Sequence, residues 1–336
     1  WWCITGEQHD DPRGRDLVAI DGPADDGDYV GLRGDGELVR WTAGEWQRVG
    51  RHDGAKAVTI AARGDRVVTS GASGLISWSL ATGESQRLRD RLDEVALMQP
   101  PIVDPQGRWV ALHREGSSEL VDLSDGSSRT LDSQGMCFHF EFAPDEPRFY
   151  VGCITGSHEH LRRWDTATWQ ELPLLPLSGH FLGVGPRGRI AVRERDRVVV
   201  DDIATPGDPT ALALGFVTRA RFAGDGRTIV GLATDGHLVI GDVSTARVGH
   251  LGPRLRFREQ TAAELQTVGK GLVSDDRRFA FSRDGTRVLV IDGDGALQRS
   301  RPLPPASSDE LRAWVHANAP ALPSSVTLDR LVPDPT

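Results

Sequence analysis

The sequence predicts an all-β fold: a seven-bladed β-propeller of four-stranded blades, followed by a short C-terminal helix. Three observations predict it. A unit recurs seven times at a spacing of about forty residues, the period of a four-stranded propeller blade. Each unit holds three short apolar or alternating segments of strand length. Between them stand turns carrying Asp, Gly or Pro, residues that supply the backbone angles of tight hairpins.

The units span residues 17–44, 57–84, 102–127, 138–169, 181–207, 219–246 and 271–295. After each comes a weaker polar segment, such as "EWQRVGRH" or "SQRLRDRL". We assign it to the fourth, outer strand, where polarity and arginine suit an exposed edge. The inner strands are apolar on both faces, as sheets stacked face to face require. The interval from Ala246 to Gly271 is too long for the period and contains "REQTAAELQTV", a stretch of helix formers. A loop helix on one face is expected there.

Three domains follow: an N-terminal strand over 1–15, the propeller over 16–303, and a proline-rich linker with a C-terminal helix over 304–336. Ser307 and Glu310 make a capping box for that helix. Leu311, Trp314 and Val315 fall on one helical face and are expected to dock it on the propeller. Ring closure has two open solutions. Either the last blade takes all its strands from the C-terminal end, with "ALQRSRPL" outermost, or "WWCIT" adds a strand and latches the ring. The chain opens on Trp1, not Met, so further sequence is expected upstream.

The third segments end in "VRW", "ISW", "LVD", "RRWD", "VVD", "IGD" and "VID". They place Trp41, Trp78, Asp122, Trp164, Asp165, Asp202, Asp242 and Asp292 at equivalent positions. These endings resemble the Trp-Asp dipeptide of the WD-repeat propeller family, complete only at Trp164–Asp165. "SGH" (178–180) and "VGH" (248–250) resemble the Gly-His partner of that motif. The resemblance covers roughly residues 16–300. It implies a buried Asp–His–Ser–Trp network only in blades that keep those residues. The "DELRAWVHAN" tail resembles that of large bacterial WD-repeat signalling proteins. On that resemblance the chain is their C-terminal sensor or interaction module, with a Ser/Thr kinase or NTPase domain upstream.

Composition narrows the function. The net charge is −9, opposite to the basic field of a nucleic-acid binder. No apolar run reaches the length of a membrane span. Lysine occurs only at Lys56 and Lys270, every other cation being arginine, which we read as the codon usage of a GC-rich bacterial genome. Three cysteines, an odd and low number, point to a reducing cytoplasm and to no disulfide.

"CITG" occurs twice, with Cys3 followed by His9 and Cys153 by His158 and His160. Zinc needs four close N or S ligands. Neither copy has a short Cys-x-x-Cys spacing, so a strand cysteine and hairpin histidines are expected instead. "DGDG" at 292–295 lacks the further carboxylates of a calcium loop. "SGASGL" around Ser73 misses the spacing and context of a nucleophile elbow, and no phosphate-binding glycine loop is present. No cofactor, metal or catalytic residue is therefore assigned.

For recognition, "RLRFRE" sets Arg254, Arg256 and Arg258 on one strand face around Phe257, a candidate site for an acidic peptide or a phosphate. The expected function is non-catalytic protein or peptide recognition, as an interaction or sensor module of a larger bacterial signalling or defence protein. A propeller hydrolase or lyase would instead need carboxylates or histidines converging in the central channel. An oligomer scaffold would need a large apolar patch.

Overall fold

The computed structural model describes residues 7–8, 16–22, 29–42, 45–61, 65–97, 99–114, 116–132, 135–203, 207, 209–224, 226–233, 238–251, 279–281, 287–291 and 297–302. Six four-stranded antiparallel sheets follow one another along the chain, each pairing its strands in sequence order. The first comprises Leu17–Asp21, Tyr29–Arg33, Glu37–Thr42 and Glu45–Arg51. The second comprises Ala55–Ile60, Arg66–Gly71, Gly74–Ser79 and Ser85–Arg89. The third comprises Ile102–Val103, Trp109–Arg114, Ser117–Asp122 and Ser128–Asp132. The fourth comprises Met136–Phe142, Arg148–Thr155, His158–Asp165 and Glu171–Pro176.

The fifth comprises His180–Val184, Arg189–Glu194, Arg197–Asp202 and Thr210–Leu212. The sixth comprises Val217–Phe222, Thr228–Ala233, Leu238–Asp242 and Arg247–Leu251. Beyond it, Phe279–Phe281 pairs with Arg287–Ile291, and Leu297–Pro302 lies next in order. Glu7–Gln8 runs antiparallel beside that last strand, Glu7 opposite Arg299 and Gln8 opposite Gln298.

Strand periodicity explains why the sheets stack. Neighbouring residues point to opposite faces, and both faces of the inner strands are covered. Val67 packs with Val30, Leu32 and Leu38 of the first sheet. Val68, next in sequence, packs with Val110, Leu112 and Val121 of the third. The pattern continues through Trp109, Ala111 and Leu120 against Phe140, Phe149 and Trp164. Each buried Val, Leu or Phe contributes about 1.5–3 kcal/mol by leaving water. The outer strands are mostly exposed, as their polar sequences predict; in Ser128–Asp132 only Leu131 is buried.

Side-chain bonds join the first strands of neighbouring sheets, called the inner strands below. The Asp21 carboxylate accepts the Ile60 N–H at 2.8 Å. Thr59 donates its hydroxyl to the Pro101 carbonyl at 2.6 Å. Glu141 accepts the Val184 N–H at 2.8 Å. Near their beginnings these strands bulge. The register shifts between Leu17 and Ala19, Ala55 and Ala57, Cys137 and His139, Phe181 and Gly183, and Val217 and Arg219. A bulge bends the strand and re-aims the extra side chain.

The third sheet departs from the pattern. Its inner strand has two residues because Pro100 and Pro101 precede it and lack the N–H a ladder requires. The chain forms a short helix, Glu94–Leu97, just before. Asp93 caps it by accepting the Ala96 N–H at 2.8 Å. This helix was not among the sequence expectations. Glu119 ties the second and third sheets together: Arg89 donates to one of its oxygens at 2.6 Å and Arg114 to the other at 2.5 Å. Burial pushes the Glu119 carboxyl upward, but the two guanidiniums outweigh it and hold the group below the usual range. No helix among the described residues is long and apolar enough to cross a membrane.

Candidate partner-binding surface

Much of the repeated sequence motif serves the scaffold. Asp122, Asp165 and Asp242 stand at the ends of third strands and cap the following hairpins. Asp122 accepts the Ser124 N–H at 2.8 Å, Asp165 the Ala167 N–H at 2.9 Å and Asp242 the Ser244 N–H at 2.8 Å. An aspartate that receives N–H groups two residues on makes an Asx turn. The other oxygen of each takes an arginine from the start of the second strand: Arg108 at 3.1 Å, Arg148 at 2.5 Å and Arg227 at 3.3 Å. Asp202 ends the third strand of the fifth sheet. Trp41 stacks edge-on against Trp46, and Trp164 packs beside Phe149.

The second sheet carries a polar chain that the sequence reading missed. Trp78 Nε1–H donates to Thr69 Oγ1 at 2.8 Å, and Thr69 lies 2.8 Å from His52 Nδ1. Ser73 Oγ lies 2.9 Å from His52 Nε2 and donates to the Asp53 carbonyl at 2.5 Å. One proton arrangement of a neutral imidazole satisfies every group. The Ser73 proton is committed to the Asp53 carbonyl, so His52 carries its proton on Nε2 and donates it to Ser73, while Nδ1 accepts from the Thr69 hydroxyl. The chain runs in one direction from Trp78 to the Asp53 carbonyl, with a neutral imidazole in the middle.

His52 was overlooked because a Gly-His pair was expected, whereas "VGRH" separates the two residues by an arginine. Gly50 is still required: a Cβ there would run into the Trp78 ring. His180, the histidine of "SGH", has another role. It begins the inner strand of the fifth sheet and meets Glu159 of the fourth at 3.3 Å.

These two histidines give a pH prediction. Burial lowers the pKa of His52, and Arg87 lowers it further. Burial also lowers that of His180, against the opposing pull of Glu159. An unfolded histidine titrates near about 6.5, so below that pH the unfolded chain binds protons that the folded chain refuses. Their contribution to stability is complete above about 6.5 and is lost as the pH falls toward the folded pKa values. The urea midpoint is expected to drop between about pH 7.5 and about pH 5.5, with a smaller drop in His52→Gln. A midpoint constant over that interval overturns the prediction.

The cysteines correct an expectation. Cys137 and Cys153 form a disulfide, with a Cα separation of 4.0 Å. The register of the fourth sheet places them directly opposite on adjacent antiparallel strands, where Cα atoms approach closely enough to be bridged. Cys153 is the buried strand residue expected, but it is not a free thiol. His160 also differs from expectation: it lies within the strand after the hairpin and is buried, while His158 is exposed. Cys3 and His9 lie outside the described residues. So do Arg254, Arg256, Phe257 and Arg258, Asp292, the loop-helix segment, "WWCIT", and the tail residues Leu311, Trp314 and Val315.

One end of the sheets has the composition of a recognition surface. The exposed large apolar side chains among the described residues are Val18, Met136, Leu174 and Phe216. Three of them stand where inner strands begin. Val18 is the second residue of its strand, Met136 the first, and Phe216 directly precedes Val217. Only Leu174 lies elsewhere, on an outer strand.

Polar groups link three neighbouring sheets at this end. The Phe138 ring lies 5.8 Å from His180, and His180 meets Glu159. His180 pairs in register with Arg193, whose guanidinium lies over the Phe216 ring at 4.0 Å and donates to the Val217 carbonyl at 2.9 Å. Aromatic, Met and Arg side chains are the types enriched in protein interfaces.

No family model matches the chain, and no curated protein matches it.

Proposed function

We propose that this chain is a non-catalytic protein-recognition module, built as a closed seven-bladed propeller of the WD-repeat kind. The observation that carries the functional part is the placement of Val18, Met136 and Phe216, exposed and apolar, each at the beginning of the first strand of its sheet. Protein binding gives such side chains a reason to stay exposed. The WD-repeat likeness is supported by the Trp78–Thr69–His52–Ser73 chain, which is similar to the family's buried Asp–His–Ser–Trp network with serine in place of aspartate and threonine in place of serine. An effector domain upstream, whose state the partner would bias, remains part of this proposal.

Two observations support closure. Arg221 in the inner strand of the sixth sheet lies 3.8 Å from Asp21 in that of the first. Glu7–Gln8 adds an outer strand to Leu297–Pro302. With the first and last strands in one sheet, opening the ring requires breaking that pairing. Deleting residues 1–8 is expected to lower the urea midpoint and broaden the transition; an unchanged midpoint rejects the closure.

On compartment, the Cys137–Cys153 disulfide favours an oxidising location over the cytoplasm that the cysteine number suggests.

The functional reading is tested by affinity capture from the native host with the chain as bait. A captured protein should bind the purified chain saturably and lose that binding in a Val18→Asp/Met136→Asp variant. A partner that binds this variant as tightly as the native chain sinks the reading.

A further inference from the structure

Arginines of this protein divide into those paired with a carboxylate and those held by carbonyl groups, such as Arg163, Arg189 and Arg193, and of these Arg193 alone among the described residues lies over an exposed phenylalanine ring. Arg33 pairs with Glu37, Arg89 with Glu119, Arg114 with Asp93 and Glu119, and Arg197 with Glu194. Arg193 is half-buried, and among the described residues no carboxylate oxygen forms an ion pair with it. The nearest acid in the cluster, Glu159, is engaged by His180. Burial lowers the pKa of Arg193 against the opposing charge of Glu159, whereas that of the carboxylate-paired Arg114 is raised.

Its geometry is nonetheless set. Stacking on Phe216 fixes the plane of the guanidinium, and the Val217 carbonyl takes one of its donors. A planar fork of five N–H groups with one committed keeps donors for a partner. Phe216 beside it is 44% exposed, and Met136, at the same end of the fourth sheet, is 65% exposed.

We infer that Arg193 and Phe216 form an anchor for a protein segment carrying an aspartate or glutamate side chain next to an apolar residue, with Met136 and Phe138 extending the apolar footing. This rests on the recognition-module reading and adds the place and the chemistry. A carboxylate matches the guanidinium fork and supplies a directly bonded counter-charge. The apolar neighbour covers Phe216 and withdraws the pair from water, which strengthens it. A phosphorylated segment fits less well, because phosphate recognition uses clusters of arginine and Glu159 repels a dianion more strongly than the single charge of a carboxylate. The inference does not involve the arginines at 254–258.

The test is selection of random linear peptides displayed on phage against the folded chain. The selected peptides are then synthesised and titrated. Asp or Glu beside an aromatic or aliphatic residue is expected among them. Their affinity should fall about 10- to 100-fold in Arg193→Ala, the loss of a charge-assisted hydrogen bond. A similar fall is expected when the peptide acid is changed to its amide, and a clear loss in Phe216→Ala and Met136→Asp. Arg193→Lys should bind more weakly than the native chain, and Leu174→Asp, on the outer strand, should bind normally.

Peptides that bind Arg193→Ala and Phe216→Ala as tightly as the native chain overturn this site while leaving the recognition reading intact. Peptides without a carboxylate, peptides that need a free C-terminus, or a preference for phosphorylated versions overturn the proposed chemistry. A native chain that retains no peptide counts against both readings.

Discussion

Trp78→Ala is expected to lower the free energy of unfolding by about 3–5 kcal/mol, the range for truncating a large buried aromatic. Trp78 is 5% exposed and packs among Leu38, Val58, Val67 and Ile76, between the first two sheets. The change leaves a cavity there, because Gly50 on the facing outer strand has no side chain with which to fill it. It also removes the donor that starts the polar chain through Thr69 and His52.

Trp78→Phe separates the two effects. It keeps most of the apolar contact and loses the indole N–H, so a smaller loss of about 1 kcal/mol is expected. Urea unfolding followed by circular dichroism measures both. A Trp78→Ala midpoint equal to that of the native chain would show that the inter-sheet packing around it contributes nothing.

The second large effect belongs to the disulfide. Cys137 and Cys153 are 16 residues apart in sequence, and closing a loop of that size stabilises by about 3 kcal/mol in the chain-entropy account. Reduction, or the Cys137→Ser/Cys153→Ser double variant, is expected to lower stability by about that amount. A reductant should shift the urea midpoint of the native chain and leave that of the double variant unmoved. Alkylation of the unreduced, denatured protein should label Cys3 alone, and all three cysteines after reduction. Equal midpoints with and without reductant, or three labelled thiols before it, overturn the disulfide.

Much of the scaffold was legible in the chain because it depends on contacts local in sequence. Alternation and apolar runs mark strands, and Asp and Gly mark hairpins. Asp122, Asp165 and Asp242 cap turns two or three residues ahead of them. The polar fourth segments became outer strands because a solvent-facing edge has no apolar neighbour to meet. The helix at Glu94–Leu97 was missed, since four residues carry no periodic signal.

The features of the candidate surface were not legible, for a common reason. His52 serves the second sheet from the connection after the first, 17 residues before Thr69 in sequence. Cys137 meets Cys153 only through the register of two strands, set by the hairpin between them and by the bulge at Phe138. Arg193 and Phe216 come from neighbouring sheets.

The amino-acid sequence by itself determined the repeat, the strand order within each unit and the polar outer edges, because pattern and turn chemistry act within a few residues. Only the tertiary structure decided which histidine joins the tryptophan network, which cysteines pair and which arginine lies over the Phe216 ring. Those outcomes depend on how one sheet sits against the next, and that placement follows from the summed packing of many side chains, which no local pattern encodes.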